Sequence, residues 1–133
     1  MKNNYALKTS LNVQDAILMS IGRLQTQERY IRLYPDKISQ LTDNDICVSR
    51  IDDINNLYIR IADAKYNETS NEVSIELNNE EYMLLIQAFE YLDMLLPTDI
   101  KYAYDEEDAK NILKASEINK QIKQYIVENV QVF

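Results

Sequence analysis

From Asn78 to Leu96 the chain places apolar side chains around most of a helix, and that stretch constrains everything else. Tyr82, Leu85, Phe89, Leu92 and Leu96 form one stripe at helical spacing, and Leu84, Ala88, Tyr91 and Leu95 form a second. A helix with two apolar stripes must be covered on most sides. It is therefore either the central helix of a domain or part of an oligomer interface. Its start is encoded locally. Asn78 is a good N-cap, Glu81 sits three residues on, and Leu77 and Tyr82 fit a hydrophobic staple. Pro97 is expected to end it.

Three further helices are expected around it. Asn12 caps the first, with Asp15 three residues on and Leu11 and Ala16 as a staple. Val13, Ile17, Ile21, Leu24 and Ile31 give its apolar face, and Pro35 stops it. Gly22, the one glycine of the chain, suggests close helix packing. In the second segment Cys47, Ile51, Ile54, Tyr58 and Ile61 follow a helical repeat, although Leu57 to Ile61 also alternates like a strand. Asp105 opens the last helix with acids in its first turn, favoured by the helix dipole. Ile112, Ala115, Ile118, Ile122, Tyr125 and Ile126 are its expected buried face. The apolar end Val130 to Phe133 is expected to pack against the rest.

Val73, Ile75 and Leu77 alternate with Ser74 and Glu76 as a short strand. A lone strand needs a partner for its backbone groups. Residues 57–61, residues 100–104 and a second copy are the candidates. The expected fold is thus mostly α: one domain over 1–133, with helices near 13–34, 45–66, 79–96 and 106–129 and an extended segment at 73–77. The alternative is an α+β domain with a hairpin of 57–65 and 73–77.

Size and composition fit that reading. A chain of 133 residues that is 46% hydrophobic can hold a core without staples. The single cysteine, Cys47, gives no disulfide framework and reads as a small buried hydrophobe. No apolar run follows Lys2, and no stretch is long enough for a membrane span, so a cytoplasmic protein of a bacterial host is expected.

The chemistry is bounded by what is missing. With no histidine, the usual general base, nucleophile triads and His/Cys zinc sites are excluded. One glycine excludes phosphate-cradling loops. Asp43-Asn44-Asp45 opens like a calcium loop, but no glycine follows at the turn and Ile54 stands at the twelfth position. We therefore expect a non-enzyme with no catalytic residues, metal or cofactor.

Charge points to partners instead. Asp43 to Asp108 holds 17 acidic residues against Arg50, Arg60, Lys65 and Lys101, a formal −13 within a chain of −8. Such a surface repels nucleic acid directly and steers basic proteins towards it. The expected contact residues are Asp52, Asp53, Asp63, Glu68, Glu72, Glu76, Glu80, Glu81, Asp105, Glu106, Glu107 and Asp108. Ten tyrosines favour core packing and protein interfaces; Tyr58, Tyr66, Tyr102 and Tyr104 lie inside the acidic segment.

In size, acidity and its abundance of residues with A/T-rich codons, the chain resembles small acidic inhibitors of phages and mobile elements, including some anti-CRISPR proteins. That resemblance implies occupation of a basic, nucleic-acid-binding surface on a partner protein. An immunity protein that neutralises a nuclease toxin is physically equivalent. The second reading is a helical structural or adaptor protein, a homodimer or larger assembly formed through the third helix. Neither reading involves a membrane or direct contact with nucleic acid.

Overall fold

The structure, a computed structural model, describes the backbone of residues 3–33 and 51–133, and their side chains other than 27–33 and 98. In chain order the elements are β1 (Asn4–Thr9), α1 (Leu11–Leu33), α2 (Ile51–Ala62), β2 (Lys65–Asn67), β3 (Glu72–Asn78), α3 (Asn79–Lys101), α4 (Glu106–Asn129) and β4 (Gln131–Val132). Mostly helical is the right class. The β content, however, is a four-stranded antiparallel sheet in the order β2-β3-β1-β4 rather than one short segment.

The strand expected at 73–77 is the middle of β3. Its main partner is β1, which periodicity over so few residues does not reveal. Tyr5, Leu7 and Thr9 stand opposite Leu77, Ile75 and Val73. The alternation puts these six on the inner face and Lys8 outside. Of the proposed partners, 57–61 is helical and 100–104 spans the end of α3 and the turn after it. A hairpin does form, but its first arm is Lys65–Asn67, not 57–65. Leu57 and Ile61 are both buried at i, i+4 spacing, so helical burial prevails there. The hairpin turn is set by asparagines. The Asn67 side chain accepts from the Thr69 and Ser70 amides at 2.9 and 3.3 Å, and Asn71 takes φ 54°.

The helix ends correct several expectations. The Ser10 hydroxyl, not Asn12, accepts from the first turn of α1, at 3.3 Å from the Val13 amide. Leu11 is exposed and forms no staple. For α2, residues 45–50 and Cys47 lie outside the described residues, as do Asp43 to Asp45 and Pro35. The helix stops at Ala62 because Lys65 already belongs to the sheet. Its core face is Ile51, Ile54, Leu57 and Ile61, with Tyr58 only half-buried. The α3 cap is as expected: the Glu81 amide donates to Asn78 Oδ1 at 2.8 Å, and the Asn78 amide donates to Glu81 Oε1 at 3.0 Å. Pro97 does not end α3, which runs one further turn. Pro97 sits on the exposed side, so the Asp93 carbonyl that loses its donor lies towards water.

α4 begins and ends where expected but is rotated. Ser116, Asn119, Ile122 and Ile126 are buried, whereas Ile118 is exposed. Asn119 accepts a buried hydrogen bond from the Ser20 hydroxyl at 2.6 Å, and the Tyr125 and Thr9 hydroxyls meet at 3.0 Å. Ile118, about 100° round the helix from Asn119, therefore turns outward.

Side-chain contacts also set the helix directions. The Gln14 amide donates to the Ile61 carbonyl at 2.8 Å and the Gln25 amide to Asn55 at 2.7 Å, so α1 and α2 are antiparallel. Thr9–Tyr125 and Ser20–Asn119 give α1 and α4 opposite senses. Arg60 at the end of α2 pairs with Glu81 at the start of α3 at 3.3 Å. Lys123 of α4 pairs with Glu90 of α3 at 3.4 Å. Each described strand joins a helix within two residues, so the sheet caps one end of the four described helices, which alternate in direction.

Helix α3 is the centre of that arrangement. Leu84, Leu85, Ala88, Phe89, Tyr91, Leu92 and Leu95 are buried within a single copy, in one cluster with Leu7, Ile17, Ile54, Ile61, Ile75 and Ile126. The apolar tail contributes backbone rather than core. Val132 and Phe133 are exposed, while Asn4 and Phe133 exchange amide–carbonyl bonds of 3.0 and 2.9 Å. Among the described residues, no helix is long and apolar enough to cross a membrane.

Gly22 does not mark close packing, since a Cβ there would meet no described atom within 4 Å. Gly22→Ala should stabilise the protein by about 1 kcal/mol through the lost flexibility of the unfolded chain. The melting temperature should rise by about 3 °C. A fall in melting temperature would show that a close neighbour exists after all.

Candidate functional site

Alternating helix directions decide where the acids go. The N-termini of α1 and α3 lie at the sheet end, and those of α2 and α4 at the far end. Among the described helices three first turns are acidic: Asp52 and Asp53 in α2, Glu80 and Glu81 in α3, and Glu106, Glu107 and Asp108 in α4. Negative charge there is favoured by the exposed N–H groups of the first turn. A common local rule thus sends the acids to opposite ends. Glu80 stands in the first turn of α3 and Asp105 just beyond its last residue, so they are separated by about the length of that 23-residue helix, roughly 33 Å. The predicted contact residues do not form one continuous patch.

At the sheet end, signs are mixed. Asp63 follows α2, Glu68 lies in the β2–β3 turn, and Glu72, Glu76 and Glu80 follow along β3 and into α3. Lys65 and Lys8 stand on either side of Ser74, between the Glu72 and Glu76 positions on the outer sheet face. Glu81 is held twice, by the Asn78 cap and by Arg60. Of the tyrosines assigned to this surface, Tyr58 packs against the core, and the Tyr66 hydroxyl bonds to Asn71 within the hairpin.

Among the described side chains of the α3–α4 connection, acids predominate. Asp52, Asp53, Asp105, Glu106 and Glu107 are exposed and Asp108 is half-buried; Lys101 ends α3 before the last four and Lys110 follows them in α4. Two of these acids fix the backbone. Asp105 Oδ1 accepts from the Asp108 amide, and Asp108 Oδ2 accepts from the Tyr104 amide, both at 2.8 Å. Glu106 and Glu107 extend from this locked turn into solvent. Tyr102 and Tyr104 stand beside them, 63% and 92% exposed.

Little in this geometry suits a small substrate. The enclosed void beneath the sheet measures about 10 Å³ and is lined by side chains such as Leu7, Ile17, Ile75 and Leu85. An open depression of about 370 Å³ between α3 and α4 mixes Asp93 and Glu128 with Lys120 and Lys123. Among the described residues, no three potential metal ligands converge. No protein-family model matches the chain, and no curated protein or solved structure is similar to it.

Sequence reasoning missed the cations that temper the sheet end. Their signal was present in Lys8, on the outward phase of Tyr5-Ala6-Leu7-Lys8-Thr9, but it needed β1 to be recognised as a strand. It also missed the stacking of Tyr5 on Tyr82, with ring centroids 4.0 Å apart and planes within 10°.

Asp105→Ala should cost about 1 kcal/mol in chemical denaturation, because two amides depend on the Asp105–Asp108 cap; an unchanged midpoint would show that the cap is dispensable. The Tyr82 hydroxyl is pushed above its ordinary pKa of 10.0, first by burial and then by Tyr5. Its neutral form is favoured by folding, so this stabilisation is complete below the unfolded pKa and lost as pH rises through the higher folded value. Denaturation midpoints should fall above pH 10, and less steeply in Tyr82→Phe. Equal slopes for the two proteins would remove Tyr82 as a contributor.

Proposed function

We propose that this protein is a small acidic protein-binding inhibitor. Its partner is a nucleic-acid-handling protein whose basic binding surface it occupies, in the manner of phage anti-defence proteins, anti-CRISPR proteins or toxin-neutralising immunity proteins. The observation that carries this reading is the far end of the molecule. There the first turns of α2 and α4 present Asp52, Asp53, Glu106 and Glu107 as exposed carboxylates. Carboxylates on rigid helix ends imitate the fixed negative charge of a phosphate backbone and raise the encounter rate with a basic groove. The same field repels nucleic acid itself.

The sheet end is the weaker candidate, because Lys8, Arg60 and Lys65 are interleaved with its acids. Assembly through α3 loses its motive, since seven of the helix's apolar side chains are already buried by the chain's own core.

Affinity capture from host extract, followed by competition with the captured protein's nucleic acid, tests the proposal. Binding should weaken at least about tenfold between about 50 and about 500 mM salt, and the partner's nucleic-acid binding should be blocked. Glu106→Lys with Glu107→Lys should weaken binding more than Glu80→Lys does. A partner held equally at both salt concentrations, or still binding its nucleic acid in the complex, would overturn the proposal.

A further inference from the structure

The open depression between α3 and α4 holds charges that the fold leaves unmatched. Its volume is about 370 Å³, with Asp93 on the α3 wall, Lys120, Lys123 and Glu128 on the α4 wall, and Val127 as an exposed apolar side chain among them. Two of these charges already have partners. Lys123 pairs with Glu90 at 3.4 Å, and Glu128 accepts from the Gln124 side-chain amide at 2.9 Å. Asp93 and Lys120 line the same depression from opposite walls, yet neither side chain forms an ion pair or hydrogen bond with any described residue.

Charge complementarity selects the occupant. The two acids and two lysines lining the depression cancel, so it offers no net field to steer a basic protein. A chain of net charge −8 repels its own copies, except where a contact surface is locally neutral and sets unlike charges together. A two-fold axis through the depression meets both conditions, because it brings each member of the unmatched pair against the opposite member in the second copy. We propose that two copies of this chain dimerise here, with Lys120 of each pairing with Asp93 of the other around the two Val127 side chains. The contact uses the outer walls of α3 and α4, not the apolar stripes of α3 that the core already covers. Glu106 and Glu107 stand roughly 20 Å along α4 from Lys120, so the dimer leaves them free and does not rest on the inhibitor reading.

Sedimentation velocity of the full chain at rising concentration tests the dimer. Exposed ion pairs contribute little each, so the parent should pass from monomer to dimer between about 10 μM and about 1 mM. Asp93→Lys and Lys120→Asp each set like charges against one another across the axis and should weaken dimerisation at least about tenfold. Mixing the two single variants should restore a dimer, because every contact between them then joins unlike charges. Neither substitution touches the core, and unchanged melting temperatures verify that. A parent that stays monomeric at about 1 mM, single variants that dimerise as well as the parent, or a mixture no more associated than its components would overturn the proposal.

Discussion

Helix α3 has to be hidden from water on most of its circumference, and the remaining elements are arranged to hide it. Leu84, Ala88, Tyr91 and Leu95 on one side, with Leu85, Phe89 and Leu92 on the other, can be covered only by elements on several sides at once. Short connections of four residues at β2–β3 and α3–α4 make sequential elements antiparallel neighbours. A sheet of four short strands then closes the end at which β1 and β3 lead into α1 and α3. It buries Leu7, Val73, Ile75 and Leu77 against the helices.

The same arrangement distributes the charge. Acids gather in first turns because unpaired N–H groups favour them, and alternating directions place those turns at both ends of the molecule. The acidic first turns, which share one segment of the chain, thereby form two separate groups, roughly 33 Å apart along the 23 residues of α3. The groups differ in kind. At the sheet end, pairing in β-register brings Lys8 and Lys65 among the glutamates, and Arg60 binds Glu81. At the α3–α4 connection the carboxylates stand with two exposed tyrosines, with Lys101 over the ring of one of them.

Buried polar contacts refine the packing that apolar periodicity only outlines. Apolar spacing alone would turn α4 to bury Ile118. The Ser20–Asn119 bond of 2.6 Å turns it otherwise, because a buried amide without a partner costs more than an exposed isoleucine. Gln14, reaching the Ile61 carbonyl at 2.8 Å, plays a similar part between α1 and α2. These bonds join residues 47 and 99 positions apart, and no window of local sequence contains both partners.

What the chain declares by itself is local. The Asn78–Glu81 cap, the stripes of α3, the Val73-Ile75-Leu77 alternation and the limits of α4 are legible because each depends on neighbours within a turn or two. The missing histidines and glycines bound the chemistry with equal directness. Tertiary structure decided the rest: that Asn4–Thr9 is a strand, that Lys65–Asn67 leaves the helical repeat to join it, that α3 passes through Pro97, and that the acids divide between two ends. Each of those outcomes rests on a partner distant in sequence, on solvent exposure, or on the relative direction of helices, and these exist only once the chain has folded.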